Sequence, residues 1–162
     1  MNKRLRELDR TDRKILTLLQ QDGRISNVDL AREVALSPTP CLERVRRLER
    51  EGYITGYVAL ADPARLHANT LAFIQVSLVN TSTEILREFN QRMQALPQVE
   101  SCHMVAGGFD YLLKIRCADM QDYQQFLGEH LGAIPMISQT HTYVVIEEVK
   151  NETAIPVAPA KA

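Results

Sequence analysis

The stretch Ser37-Pro38-Thr39-Pro40-Cys41-Leu42-Glu43-Arg44-Val45-Arg46-Arg47-Leu48-Glu49-Arg50-Glu51-Gly52 carries both ends of one helix within itself. Pro38 at the first helical position gives up an N–H that has no partner there. Ser37 before it is placed to accept a hydrogen bond from a first-turn N–H, and Gly52 supplies the left-handed residue that closes a C-terminus. On a helical wheel Cys41, Val45 and Leu48 share one face, with Leu42 at its edge. Thr39, Glu43, Arg46, Arg47 and Arg50 spread over the other. A helix of this length reaches about 21 Å, enough to lie across a DNA major groove. Its run of arginines from Arg44 to Arg50 suits phosphates and guanine edges. A solvated basic face balanced by Glu43, Glu49 and Glu51 explains the same residues, so the preceding segment decides between the two.

That segment predicts two more helices. Leu8, Asp12, Ile15, Leu16 and Leu19 recur at helical spacing, with Asp9 as N-cap and Gly23 past the end. Ser26-Asn27-Val28-Asp29 has the form of a capping box and opens a short helix from Asn27 to Ala35, with Leu30, Ala31 and Val34 inward. Only Ala35-Leu36-Ser37 separates it from the arginine-rich helix, which is the spacing of a helix-turn-helix, without the frequent turn glycine. Charge agrees: residues 1–57 hold 12 Lys and Arg against 9 Asp and Glu, whereas residues 58–162 hold 7 against 11. A basic N-terminal part on an acidic remainder fits a nucleic-acid arm on a body with another task. The β-prone Tyr53 to Leu60 then reads as a short wing or a connecting strand. Asp62-Pro63 breaks it, and the chain to Asn69 reads as a hinge.

From Leu71 the period changes to that of strands. Leu71–Val79, Val99–Ala106, Phe109–Cys117 and Ile137–Val149 are predicted strands. Glu84–Leu96 and a segment capped by Asp119 are predicted helices, ended by Pro97 and Pro135. The order βαββαβ is the ferredoxin-like split βαβ unit, one sheet face covered by helices and the other left with apolar area that calls for a partner. The fold class expected is α+β: a winged helix-turn-helix in residues 1–57, a hinge in 58–69, the ferredoxin-like unit in 70–150, and a loose Ala/Pro-rich tail in 151–162.

Gly107-Gly108-Phe109-Asp110 is the second informative feature. Adjacent glycines bare backbone N–H groups and permit positive φ, so a carboxylate can approach, while Asp110 can face an ammonium group. Together they suit a free α-amino acid; taken alone, a plain hairpin turn whose glycines merely solve the backbone geometry is the simpler reading. Catalysis has no support: His103 and His141 lack a neighbouring nucleophile, His67 and His130 read as surface residues, and no phosphate-loop, hydrolase or metalloprotease signature occurs. Cys41, Cys102 and Cys117 are widely spaced and odd in number, so they read as buried reduced thiols rather than a disulfide or metal set. No cofactor or metal is expected, and no run approaches the length of a membrane helix. The expected location is the cytoplasm.

Asp22 to Val28, Leu36 to Arg50, Gly107 to Leu113 and Thr142 to Lys150 together resemble the Lrp/AsnC (feast/famine) transcription-regulator family, in particular its leucine-responsive branch. The likeness runs from Leu8 to Lys150. It implies a DNA-binding helix-turn-helix hinged to an effector domain that also assembles dimers, often octamers, on double-stranded DNA in the nucleoid. It further implies amino-acid binding at interfaces between effector domains, with leucine or methionine suiting an apolar pocket. By position, the recognition helix matches Pro38 to Glu51, and the effector region matches Gly107, Gly108, Phe109 and Asp110 with Met104, Met120, Tyr143, Val144 and Val145 nearby. Ala106 and Gly108 depart from the family pattern. Thr39, Pro40, Glu43, Arg44 and Arg47 are expected at base edges or nearby backbone, Arg46, Arg50 and the arm at Lys3, Arg4 and Arg6 at phosphates, and Ser37 among the DNA-binding residues. The rival readings are a nucleoid-organising protein with a vestigial effector turn and, more remotely, an enzyme in the second half.

Overall fold

A computed structural model describes residues 7–158; the arm at Lys3, Arg4 and Arg6 lies outside the described residues. The chain divides into two compact units, Met1–Leu60 with Lys150–Ala162, and Ala61–Val149.

The first unit holds three helices, α1 (Arg10–Gln21), α2 (Asn27–Glu33) and α3 (Pro38–Arg50). Asp9 and Asp12 close a reciprocal capping box at the start of α1, which pairs two N–H groups the helix leaves unsatisfied. Ser26 caps α2 by accepting from the Asp29 N–H. Ser37 precedes α3 with extended backbone, yet its hydroxyl makes no capping bond, so Pro38 rather than the Ser37 side chain sets that end. The C-terminus of α3 closes as expected. Gly52 has φ 79°, and the N–H groups of Tyr53 and Gly52 reach the carbonyls of Leu48 and Glu49 at 2.9 and 3.0 Å, the paired bonds of a glycine-terminated helix.

The end of α2 solves the same problem without glycine. Ala35 adopts φ 55°, and the N–H groups of Leu36 and Ala35 bond to Ala31 and Arg32 at 2.9 and 3.2 Å. A side chain in this region costs about 1–2 kcal/mol, part of which glycine gives back through its greater unfolded-state freedom. Ala35 is exposed, so Ala35→Gly is expected to stabilise this unit by about 0.5–1 kcal/mol, read as a higher midpoint in thermal unfolding. Ile15, Leu16, Leu30, Ala31, Val34, Cys41 and Leu48 form the buried core.

The second unit is a four-stranded antiparallel sheet with strand order β2-β3-β1-β4. The strands are β1 (Thr70–Leu78), β2 (Val99–Met104), β3 (Tyr111–Cys117) and β4 (Ile137–Val144). Helix α4 (Thr83–Ala95) and helix α5 (Met120–Gln125), which widens into a π-helical segment at Phe126–Leu131, pack on one face. There Ala72, Ile74, Val76, Leu113 and Ile115 meet Phe89, Met93, Tyr123, Phe126 and Leu131. This is the ferredoxin-like arrangement.

Some expectations need correcting. Residues 53–60 form no strand: a β-prone run becomes one only when its backbone groups pair with another strand, and the Tyr53 and Ile54 N–H groups bond back to the Leu48 carbonyl instead. The second strand stops at Met104, the third starts at Tyr111 and the last stops at Val144, so residues 105–110 are a longer corner than a tight hairpin. The uncovered sheet face carries polar residues beside its apolar ones. Register places Phe73, Leu112 and Tyr143 there beside Gln75, His103, Lys114 and His141. Finally, the tail is not loose throughout: Val157 packs against the core of the first unit. Of the cysteines, Cys41 and Cys117 are buried but Cys102 only half so.

Candidate DNA-reading helix and a divided effector site

Helix α3 buries Cys41 and Leu48 and exposes Thr39, Leu42, Glu43, Arg46 and Arg50. Spacings of three and four put these on one outward stripe, with Pro40 half-buried beside it. The other two arginines are engaged inward. Asp12 is 1% exposed; its carboxylate receives Arg44 Nη1 at 2.7 Å and Arg47 Nη2 at 2.5 Å, and Arg44 Nη1 also reaches Asp9 at 2.6 Å. A carboxylate this deep is tolerated only when paired. Arg44 and Arg47, expected at base edges, are thus tied to Asp12 of α1, and Arg46 and Arg50 carry the outward charge. Asp12 shares the helical spacing of Leu8, Ile15, Leu16 and Leu19, but that spacing does not name the side chains that neutralise it.

Burial pushes the Asp9 carboxyl up, but the Asp12 backbone N–H and the Arg44 guanidinium outweigh this and hold it below its ordinary 3.8. In the second unit Glu100 is likewise held below its ordinary 4.5, burial being outweighed by Arg116 and Lys114, which lie 2.5 and 3.1 Å away. Carboxylates depressed in the folded state add stability that is complete above the unfolded value and lost as pH falls through the folded one. Denaturant titrations are thus expected to show both units weakening as pH drops below the unfolded values of 4.5 and 3.8, with Asp9→Asn flattening the dependence for the first unit alone.

The residues expected around an effector fall into two groups. Gly107, Gly108, Phe109 and Asp110 form the corner after Met104, at the end of the sheet where β1 finishes. The Asp110 N–H donates to the Val76 carbonyl at 3.0 Å, and its Oδ2 accepts the Leu78 N–H at 2.7 Å. Tyr143 and Val144 pair with Phe73 and Ala72 near the start of β1, and the Val145 N–H bonds to Leu71 at 2.9 Å. Met120 opens α5 just after Cys117, the partner of Thr70, so it belongs to this second end. Five or six residues of strand at about 3.4 Å each put the two groups some 17–20 Å apart. Met104 and the β4 residues also stand on opposite edges of the sheet. One chain does not bring them together.

Each half is exposed in a way a folded core would not leave. Met104 is 60%, Met120 47%, Tyr143 56% and Val144 45% exposed. Neither glycine of the corner has positive φ, and a Cβ at either would meet nothing within 4 Å; both lie exposed at the surface. A cavity of about 250 Å³ opens beside the second half, lined by Asp62, Asn69, Leu71, Arg116, Val145 and Glu148 among others.

Residues 8–55 match the winged helix-turn-helix DNA-binding family, and residues 71–155 match the Lrp/AsnC ligand binding domain. The leucine-responsive regulatory proteins of Klebsiella pneumoniae and Escherichia coli K12 are each 51% identical over 150 residues, covering 93% of this chain and 92% of theirs. Among solved structures, a Neisseria meningitidis transcriptional regulator in complex with L-Met superposes with a TM-score of 0.89 at 36% identity, over 93% of this chain and 97% of that one. An AsnC family transcriptional regulator from Agrobacterium tumefaciens gives 0.88 at 33%, over 92% and 97%. These relatives are regulators rather than enzymes. With a DNA-binding half and a ligand-binding half matched in order along one chain, the protein belongs to the Lrp/AsnC family of transcription regulators.

Proposed function

We propose that this regulator binds operator DNA through the outward stripe of α3 and that an apolar α-amino acid, leucine or methionine, modulates its assembly and DNA binding from sites completed between two copies. The observation that carries this is the division of the candidate site. The exposed glycine corner with the Asp110 carboxylate lies at one end of the sheet, and the exposed Met120, Tyr143 and Val144 at the other. A head-to-tail meeting of two chains sets the polar corner of one against the apolar end of its partner, supplying both charges and an apolar side-chain pocket for one ligand. Repeating such contacts builds dimers into larger closed assemblies, octamers by family likeness. The protein then acts on double-stranded DNA in the cytoplasm, associated with the nucleoid. Apolar effectors are also supported by the methionine-bound Neisseria relative.

Asp110→Asn tests the site. It keeps an oxygen for the Leu78 N–H and removes only the charge. Expected is a loss of amino-acid binding in calorimetry with the fold and DNA affinity retained; unchanged binding would take the ammonium-recognising role from Asp110. One observation favours the rival of a nucleoid organiser without an effector: Asp110 already has an intramolecular partner. Titration with the twenty amino acids decides, since that rival predicts no heat and no change in assembly with any of them.

A further inference from the structure

The tail returns from the second unit to the first and lies along α1. The Gln20 side chain both donates to the Ile155 carbonyl at 3.0 Å and accepts the Ile155 N–H at 2.7 Å. Three residues on, the Ala158 carbonyl accepts from Arg13 Nη1 at 2.6 Å, while Val157 between them packs against the helical core. The spacings match. Arg13 and Gln20 stand seven residues apart on one helix face, about 10.5 Å at 1.5 Å per residue. Residues 155 and 158 are three apart, about 9–10 Å in an extended or polyproline conformation. A polyproline turn holds three residues, so both anchors present the same side. Each anchor is also followed in the sequence by proline, Ile155-Pro156 and Ala158-Pro159. The residue before proline is steered out of the helical region, so the segment is largely pre-set for docking and loses little conformational freedom on it.

We propose that the outer face of α1 is a docking surface for a proline-punctuated extended peptide, occupied by residues 155–158 of this chain, and that the docked segment completes the DNA-binding unit. It acts on DNA indirectly, because α1 carries the Asp12 that holds Arg44 and Arg47 of the reading helix. This does not depend on the effector reading.

The test uses the full chain and a labelled peptide of residues 150–162. Val157→Asp puts a charge into the packed position and vacates the surface. The variant is expected to bind the peptide at least about tenfold more tightly than the parent, whose own tail competes. Adding Gln20→Ala to that variant abolishes the gain. Saturating peptide is expected to restore the melting temperature that Val157→Asp lowers. Equal binding by parent and Val157→Asp, or binding indifferent to Gln20, overturns the proposal. A measurement without peptide stands beside it: the Ile155 amide of the parent is expected to exchange its hydrogen slowly and that of Gln20→Ala at the free-peptide rate. Free-peptide exchange in the parent overturns it as well.

Discussion

Asp12→Ala is expected to cost the DNA-binding unit about 3 kcal/mol and to abolish DNA binding at physiological temperature. Removing one partner of a buried ion pair costs about 3–5 kcal/mol because the charge left behind has lost its compensation. The lower figure applies here because Arg44 keeps Asp9 at 2.6 Å and is itself 30% exposed, against 16% for Arg47. Against a typical total of 5–15 kcal/mol for a domain this is a large fraction. Denaturant unfolding followed by circular dichroism measures it. A triple variant, Asp12→Leu with Arg44→Met and Arg47→Met, removes the charges together and is expected to recover most of the stability, since apolar side chains of similar volume can replace a buried ionic cluster. It also decides what the two arginines do. With stability restored, DNA affinity closer to the parent's than to that of an Arg46/Arg50 variant marks them as supports; equal loss returns them to the DNA surface.

The second large effect is expected from Arg46→Ala with Arg50→Ala. Both side chains are exposed on the stripe with Thr39 and Glu43, so their removal leaves the core untouched and stability within about 0.5 kcal/mol of the parent. Binding to DNA weakens for specific and random sequence alike. Each phosphate contact contributes about 0.9 to the slope of log affinity against log salt, so the double variant flattens it by about 2. Fluorescence anisotropy at several salt concentrations reads both quantities. A normal slope with lost discrimination between sequences places these arginines at base edges instead.

The elements of both units were legible in the sequence because their signals are local. Asp9, Ser26, Pro38 and Gly52 punctuate the first three helices, and the change from helical to strand period near Leu71 marks the second unit. What the sequence did not carry depends on partners distant along the chain. Periodicity puts Arg47 on a polar face, but only the fold brings Asp12 beneath it and Arg44. The run from Tyr53 to Leu60 has strand chemistry, yet its first N–H groups close the end of α3 instead. Ala35 takes the conformation a turn glycine would, which composition alone argues against. In the candidate site, each residue group is where the topology puts it, yet Tyr143 and Asp110 stand at opposite ends of the sheet, a separation that short motifs do not reveal. The tail reads as featureless until Gln20 and Arg13 supply its partners.

The central claim, a DNA-binding regulator governed by an amino acid, is tested most directly by titrating the full chain onto operator DNA recovered by selection from random duplexes, at one fixed salt concentration, with and without leucine or methionine, while sedimentation reports assembly. Binding that favours the selected sequence and shifts, together with the sedimentation coefficient, on adding one of these amino acids is the predicted result. Tight binding with no preference for sequence and no response to any of the twenty amino acids would contradict it.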